Sequence, residues 1–254
     1  MINIIVHGVS GTMGRTVVKL CEENEDVHVV AGVDPVYKGR EFTFPVFETL
    51  ANCDVHGDCI IDFSTASAIE QLLKDAMEMN IPVVLCTTGL TEEVEDLVQE
   101  VSGKIAIFKS ANMSLGVNLM LDLLKKATSI LYNADFDIEI IEKHHNKKID
   151  SPSGTALLLA NTIENEIDEN MKYIYDRSSV FQKREKNEIG IHGVRGGTIV
   201  GEHTAIFAGQ DEVIEITHRA QSKNVFAVGS INAAIFVSKK NKGIFDMYDL
   251  IREA

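Results

Sequence analysis

No stretch of the sequence stays apolar over the ~18 to 20 residues that a bilayer-spanning helix requires. The N-terminus lacks the basic flank and cleavage site of a signal peptide, since Met1 leads directly into the apolar segment Ile2–Val6. No internal repeat or low-complexity tract is visible, which excludes a solenoid. We therefore expect a globular cytoplasmic protein that does not associate with membranes.

Cysteine and positive charge are both scarce. The four cysteines form no CxxC pair and have no metal-site spacing, so we expect reduced thiols and no metal centre. Lys and Arg number 24 against 38 Asp and Glu, a net charge of −14. Such a charge disfavours nucleic acid as a partner, because phosphate binding needs a positive field. A small acidic substrate is not excluded, since a local basic cluster can outweigh the global sign.

The first part of the chain alternates short β-branched runs with amphipathic helical patterns. This alternation predicts right-handed βαβ crossovers and a parallel sheet. The runs are continuously apolar, as in strands buried on both faces. The predicted strands are Ile2–His7, Val27–Val33, Cys59–Phe63, Val83–Cys86 and Ile105–Phe108, and the predicted helices are Met13–Glu22, Ala66–Met79 and Glu92–Val101.

The pattern changes after Asn112. Gly-rich turns now separate the strand-like runs, which favours an antiparallel or mixed sheet and a second domain. A final small-residue helix pattern, at Phe226–Val237, is suited to packing back on the first domain. The other predicted elements are helices at Leu115–Leu131 and near Thr155–Glu166, and strands at Asp137–Glu142, Glu188–Val194, Thr198–Ala208 and Glu212–Arg219.

A glycine-rich turn lies between the first strand and the first helix. Its spacing, GxxGxxG, is a variant of the dinucleotide-binding motif, in which glycines allow a tight turn and close approach to a pyrophosphate. The free N–H groups of the helix start then bind the phosphates. A purely structural turn is the alternative, because glycines often serve backbone geometry alone. The predicted cofactor contacts in the turn are Gly8, Ser10, Gly11, Thr12, Met13 and Gly14.

Asp34 ends the second predicted strand, 20 residues after Gly14, where an acidic residue meets the adenine ribose of a bound dinucleotide. Together with the turn, it indicates a Rossmann-type NAD(P)-binding domain. A carboxylate accepts hydrogen bonds from a free 2′-OH and repels a 2′-phosphate, with ~4 kcal/mol at 4 Å as the scale. Lys38 and Arg40 are near enough in sequence to offset that repulsion. We hypothesise that NADH is used at least as well as NADPH.

The segment Glu142–Thr155 gathers five potential cations and then runs into a helix start. Ser151 or Ser153 can cap that helix, and Pro152 suits its first turn. Backbone N–H groups near Gly154 and Thr155 would then form a carboxylate site. His144, His145 and Lys148 are the residues that could supply positive charge and protons there.

Three other interpretations of this segment remain open. A run of Lys and His is often only a solvated loop, and the helix start could be simply well capped. The paired histidines could bind a metal, but neighbours on an extended strand point to opposite faces and no third ligand is suitably spaced. Their place beside an anion-binding helix start, in a chain with a nucleotide motif, favours a functional site.

Several motifs together resemble 4-hydroxy-tetrahydrodipicolinate reductase, also called dihydrodipicolinate reductase, over nearly the whole chain. The most specific is the HHxxKxDxPSGTA block that begins at His144. The others are Gly8–Arg15, Asp62-Phe63-Ser64, Thr87-Thr88-Gly89, Ala111-Asn112-Met113-Ser114, Arg195-Gly196-Gly197, Gly201-Glu202-His203, His218-Arg219-Ala220 and Phe226-Ala227-Val228-Gly229.

The resemblance implies an enzyme of lysine and diaminopimelate biosynthesis. Hydride would pass from NADH or NADPH to a dehydrated dicarboxylate ring, yielding tetrahydrodipicolinate. It also implies an α/β fold: a Rossmann-type parallel-sheet domain at 1–113 and 224–254, and a smaller α+β domain with a mixed sheet at 114–223. The second domain would bind substrate and form a homotetramer.

Site residues follow from the same resemblance. His144 and Lys148 correspond to the proton-donor pair, and His145, Gly154 and Thr155 to substrate-carboxylate contacts. The nicotinamide half of the cofactor would be lined by Thr87, Thr88, Gly89, Ser110, Ala111, Asn112 and Met113.

The chain also departs from the family pattern. Thr12 stands where many members have a basic residue that helps hold phosphate, which again favours NADH. Cys86 stands before Thr87, where the family usually has glycine. Lys223 stands where Arg is common, and a lysine cannot form the bidentate hydrogen bonds of a guanidinium.

Two other classes of protein would also contain the glycine-rich turn. Another two-domain amino-acid or semialdehyde dehydrogenase would have no need of the HHxxKxDxPSGTA block. A non-catalytic NAD(H)-binding sensor would bind cofactor without substrate-dependent turnover.

Overall fold

The computed structural model describes residues 1–39, 41–178 and 181–253, so Arg40 lies outside the described residues. It contains two compact units, Met1–Leu115 with Asn224–Ala254, and Gly116–Lys223. The described strands are β1 (Ile2–His7), β2 (Val27–Val33), β3 (Val46–Phe47), β4 (Cys59–Asp62), β5 (Val83–Leu85), β6 (Ala106–Lys109), β7 (Asp137–His144), β8 (Lys172–Ile174), β9 (Glu188–Arg195), β10 (Gly201–Ala208), β11 (Val213–Ala220) and β12 (Gly243–Phe245). The described helices are α1 (Thr12–Glu22), α2 (Ile69–Met79), α3 (Glu92–Ser102), α4 (Leu115–Leu131), α5 (Gly154–Glu164), α6 (Asn224–Val237) and α7 (Met247–Glu253), with short 3-10 turns at Leu50–Asn52 and Ala66–Ala68.

The first unit contains a parallel sheet of seven strands in the order β12-β6-β5-β4-β1-β2-β3. Strand residues alternate between two cores. Ile4 and Val6 pack with α1 and α6 on one face, whereas Ile5 packs with α2 and α3 on the other. All three side chains are fully buried, and each such burial contributes roughly 1.5–3 kcal/mol. Two covered faces explain why the strand sequences are continuously apolar.

The second unit contains a mixed sheet of five strands in the order β11-β10-β7-β9-β8. β10 is antiparallel to both β11 and β7, while β7, β9 and β8 run parallel. Helices α4 and α5 supply Leu124, Leu159 and Ile163 to one core with Ile140 and Phe207 of the sheet. The predicted fold class, a Rossmann-type parallel sheet with a smaller mixed-sheet domain, is confirmed.

Several element boundaries differ from the sequence prediction. β7 extends two residues beyond Glu142 to His144, because Lys143 and His144 are still paired with the end of β9. β3, β8 and β12 were not predicted, since strands of two or three residues are too short to show periodicity. No described helix is long and apolar enough to cross a membrane.

Candidate functional site

The glycine-rich turn joins the end of β1 to the start of α1. Gly8 has φ +76°, in the left-handed region that favours glycine, and a Cβ there would lie 2.7 Å from the carbonyl oxygen of Phe63. At Gly14 a Cβ would collide with the carbonyl oxygen of Gly8 and lie 2.7 Å from Cα of Val9. The turn therefore needs glycine at both positions for its geometry.

The start of α1 has no side-chain cap. Gly11 is the N-cap residue, and within the described part of the chain no side-chain cap hydrogen bond forms there. The first N–H groups of a helix, at the positive end of its dipole, bind phosphate. Thr12 is exposed in the first turn, while Met13 is half-buried and packs against the core. These features fit the pyrophosphate of a dinucleotide.

Asp34 lies directly after β2 and is hydrogen-bonded to the turn. Its Oδ2 accepts a bond from the Ser10 backbone N–H at 3.1 Å and another from the Ser10 hydroxyl, while Oδ1 accepts from the Val36 N–H at 3.1 Å. Asp34 is buried, 7% exposed, so its carboxylate has a fixed orientation. The carboxylate is thus held beside the glycine turn, and its contact with a ribose stays a prediction.

A buried hydrogen-bond network occupies the carboxyl ends of β1, β4 and β5. Asp62 is fully buried, and its Oδ1 is bonded to His7 Nδ1 at 2.7 Å and to the Ser64 hydroxyl at 2.6 Å. The Thr87 hydroxyl donates to Asp62 Oδ2 at 2.6 Å. In open parallel sheets ligands bind beside these strand ends. The sequence prediction included Thr87 but missed His7 and Asp62, although both are polar residues that end apolar strands.

The segments predicted to line the nicotinamide half lie after β5 and β6. They border a cleft of about 460 Å³ whose walls include Thr87, Thr88, Gly89, Ser110 and Ala111. Asn112 orders the second segment, because the Ser110 hydroxyl donates to its carbonyl at 3.1 Å and its Oδ1 accepts from Ser114 N at 2.8 Å. Met113 is buried in the core. An ion pair from Lys109 to Glu95, at 2.6 Å, forms part of the cleft wall.

In the second unit, Glu142 and His144 lie two residues apart on β7, so both side chains point to the same face of the sheet. Glu142 Oε2 is 2.6 Å from His144 Nδ1. Arg195, at the end of β9, donates to both carboxylate oxygens at 2.6 and 2.7 Å. Burial alone would raise the pKa of Glu142, but hydrogen bonds from Arg195, His144 and Ser153 N lower it below its ordinary value.

The start of α5 lies beside this pair. Ser153 is the N-cap and accepts from Ala156 N at 3.2 Å, so Pro152 precedes the cap rather than occupying the first turn. Gly154 is exposed, and a Cβ there would meet nothing within 4 Å. Thr155 is half-buried in the first turn. The backbone at Gly154, where a carboxylate contact is predicted, is therefore open to solvent.

His203 on β10 completes the cluster. Its Nε2 is 3.0 Å from the Ser153 hydroxyl, and its ring stacks edge-on against His144 with centroids 5.1 Å apart. Burial is the main cause that lowers the pKa of His203 to about 4, followed by the charges of His144 and Lys148 among others. His203 is therefore neutral at pH 7.

The remaining predicted residues, His145 and Lys148, lie in the loop after β7. Lys148 Nζ pairs with Asp150 Oδ1 at 2.8 Å. His145 Nδ1 is buried and has no hydrogen-bond partner within the described ranges. His144 and His203 thus lie on neighbouring strands, and the loop that carries His145 and Lys148 leads from β7 into α5. Ser153, one of the two predicted N-cap candidates, is confirmed as the cap. The prediction missed Glu142, Arg195 and His203 as contacts, although all three belong to the motifs that it singled out.

The fold and these sites define a two-domain α/β oxidoreductase with a Rossmann-type nucleotide-binding domain. Comparison of the sequence with known protein families supports this class. The family described as dihydrodipicolinate reductase, N-terminus, matches residues 2–113, and that described as dihydrodipicolinate reductase, C-terminus, matches residues 116–251. The chain belongs to the dihydrodipicolinate reductase family and is an NAD(P)H-dependent enzyme.

Two curated relatives illustrate the match. The 4-hydroxy-tetrahydrodipicolinate reductase of Caldanaerobacter subterraneus subsp. tengcongensis is 49% identical over 253 residues, covering 100% of this chain and 99% of the relative. That of Clostridium novyi is 46% identical over 252 residues, covering 99% of each. A solved dihydrodipicolinate reductase from Paenisporosarcina sp. TG-14, bound to dipicolinate, has a TM-score of 0.79 at 23% identity over 97% of each chain, which supports the fold.

Proposed function

We propose that the chain reduces dihydrodipicolinate, formed by dehydration of 4-hydroxy-tetrahydrodipicolinate, to tetrahydrodipicolinate in lysine and diaminopimelate biosynthesis. The observation that carries the proposal is the Glu142 carboxylate, which bonds both His144 and the backbone N–H of Ser153 and so places His144 beside the start of α5. His145 and Lys148 lie in the loop that joins β7 to this helix. Curated relatives with this family's name, 49% and 46% identical over essentially the whole chain, support the substrate class.

The cluster suits a small dicarboxylate. At the start of α5 the backbone beside the exposed Gly154 is open to one carboxylate, and the positive end of the helix dipole favours such a group there. His145 Nδ1 is a buried polar atom without a partner among the described residues, and a substrate oxygen would satisfy it. The positive charge of Lys148 lies in the same loop.

The chemistry needs one hydride and one proton. When bound, the reduced nicotinamide supplies the hydride. His144 or Lys148 supplies the proton to the ring, as a general acid positioned at the substrate carboxylates. The glycine turn from Gly8 to Gly14, Asp34, and the segments at 87–89 and 110–113 hold the cofactor.

We further propose that NADH is used at least as well as NADPH. The Asp34 carboxylate is held in place by Ser10, and a 2′-phosphate beside it would meet a fixed negative charge. Thr12 brings no positive charge to the turn. A strong preference for NADPH in kcat/KM would contradict this role of Asp34.

We also propose a role for each of the two domains. Residues 1–113 and 224–254 bind the cofactor, and 114–223 bind the substrate and form a homotetramer in the cytoplasm. The edge strand β11 supports self-association, because Val213 and Ile214 are exposed on it at 59% and 39%.

The test is NADH oxidation with substrate made in situ from pyruvate and aspartate semialdehyde. We expect Lys148→Ala to lower kcat by on the order of 10²-fold while NADH affinity stays within a factor of two. Lys147→Ala, which removes the exposed neighbouring lysine, is the matched control and should keep wild-type kcat. A folded, NADH-binding protein with no turnover would instead indicate a sensor, and wild-type kcat in Lys148→Ala would remove Lys148 from the mechanism.

A further inference from the structure

Every acceptor position of the buried Glu142 carboxylate is used. Oε1 accepts from Ser153 N at 3.0 Å and from Arg195 Nη2 at 2.6 Å. Oε2 accepts from Arg195 Nη1 at 2.7 Å and is bonded to His144 Nδ1 at 2.6 Å. Glu142 is 0% exposed, and a buried carboxylate is tolerated where a bidentate guanidinium and further donors compensate its charge.

This arrangement determines the tautomer of His144. An ionised carboxylate only accepts hydrogen bonds, so the ring nitrogen that faces it must carry the hydrogen. That nitrogen is Nδ1. In neutral His144 the lone pair is therefore on Nε2, and in the imidazolium Nε2 carries the proton that can leave.

The surroundings of Nε2 are kept open by a glycine. A Cβ at Gly201, the first residue of β10, would lie 3.2 Å from His144 Nε2. Any side chain there would crowd the atom that the Glu142 contact leaves available for proton exchange.

Arg195 also contacts the loop that carries Lys148. Its Nη2 donates to the carbonyl oxygen of Asp150 at 2.6 Å, and the Asp150 carboxylate pairs with Lys148 Nζ at 2.8 Å. The Arg195 guanidinium thus connects two parts of the site: the end of β7, which carries His144, and the loop that carries Lys148.

We propose that Arg195 and Glu142 are positioning residues for proton transfer: together they hold His144 with Nδ1 protonated, make Nε2 its proton-exchanging atom, and anchor the loop of Lys148. This inference rests on the proposed function, in which His144 and Lys148 are the proton donors. Neither positioning residue need touch the substrate.

The direct test is the tautomer itself. In protein labelled with ¹⁵N-histidine, two-bond ¹⁵N–¹H correlations at a pH where His144 is neutral should show His144 protonated at Nδ1, with its signals assigned by their loss in His144→Gln. In Glu142→Gln the amide oxygen should stay toward Ser153 N and Arg195 Nη2, which turns the amide NH₂ toward His144. His144 should then become protonated at Nε2. A wild-type ring protonated at Nε2 overturns the inference.

Kinetics give the second measurement. Glu142→Gln and Arg195→Lys should each lower kcat by on the order of 10²-fold, with KM for NADH within a factor of two, because a carboxylate that orients a histidine acts mainly on proton transfer. The pH profile of kcat should also shift. Arg177→Lys, which alters a comparable guanidinium pair with Glu188, is the control and should keep wild-type kcat.

The outcomes separate this inference from the proposed function. If the wild type does not reduce the substrate, the proposed function fails, and the wild-type tautomer alone still decides the role of Glu142. If the wild type turns over and folded Glu142→Gln and Arg195→Lys retain wild-type kcat, the positioning role is wrong. If neither variant folds, the wild-type spectrum again decides.

Discussion

His7 and Asp62 form a buried pair at the carboxyl ends of β1 and β4, with Nδ1 and Oδ1 2.7 Å apart. Asp62 also accepts hydrogen bonds from Ser64 and Thr87, so a single carboxylate connects the ends of three neighbouring strands. The segment Thr87–Gly89 begins at this point, which ties the lining of the cleft after β5 to the interior of the sheet.

Replacement of Asp62 by Asn should destabilise the first unit. The amide oxygen would stay with the donors from His7 and Ser64, so an NH₂ group would face the Thr87 hydroxyl, which could no longer donate to this side chain. The negative charge that strengthens the other bonds would also be lost. We expect a loss of about 3 kcal/mol in the free energy of unfolding, measured by urea denaturation. The control is Asp58→Asn. In the wild type the Asp58 carboxylate accepts a hydrogen bond from Asn3 N at the opposite end of the strands, and we expect its replacement to lower the free energy of unfolding by about 1 kcal/mol. Equal losses for both would contradict a special role for Asp62.

Replacement of Asp34 by Asn should change cofactor choice. Removal of the charge beside Ser10 weakens the 2′-OH contact and relieves repulsion of a 2′-phosphate. We expect the ratio of kcat/KM for NADH over NADPH to fall by about 10-fold, or ~1.4 kcal/mol. Asp26→Asn, just before β2, should leave the ratio unchanged. An unaltered ratio in Asp34→Asn would show that this carboxylate does not contact the ribose.

Replacement of Gly14 by Ala should disrupt the nucleotide-binding turn. The added Cβ would lie 2.7 Å from Cα of Val9 and still closer to the Gly8 carbonyl, and backbone cannot give way as a flexible side chain can. We expect a loss of about 3 kcal/mol or more, measured by thermal and urea unfolding, with NADH binding lost in any folded fraction. Thr16→Ala in the same helix removes only a hydroxyl bond to the Thr12 carbonyl and should cost under about 1 kcal/mol. Wild-type stability in Gly14→Ala would show that the turn tolerates a side chain.

Because of His203, the free energy of unfolding should decrease as the pH is lowered. Burial lowers its pKa to about 4 in the folded state, against an ordinary value of 6.5. Between these values the unfolded chain binds more protons, so the free energy of unfolding decreases as the pH falls through that window. We expect His203 to contribute about 2 kcal/mol of loss between pH 7 and pH 5.

The measurement is urea unfolding at both pH values for wild type and for His203→Gln, which stays neutral. The variant should lose about 2 kcal/mol less than the wild type on acidification. His28→Gln, an exposed histidine on β2, should follow the wild type. An identical pH dependence for His203→Gln would mean that His203 is not the group responsible.

Local sequence predicted most of the long elements because their patterns are regular. The continuously apolar strands before residue 110 predicted a parallel sheet, and the Gly-rich turns after it predicted an antiparallel or mixed one, which the structure shows to be mixed. The short strands β3, β8 and β12 could not be predicted, because a strand of two or three residues exists only through pairing with its neighbours.

The sequence by itself determined the glycine turn, the acidic residue Asp34 and the HHxxKxDxPSGTA block, since each is a matter of residue type and spacing. Only the tertiary structure decided what surrounds them. Arg195 is distant in sequence from Glu142, yet β9 pairs with β7 and places its guanidinium on that carboxylate. His7 and Asp62 meet in the same way, because β1 pairs with β4. Strand pairing is a long-range contact that no local spacing encodes, so the candidate proton donors could be named from sequence while the residues that hold them could not.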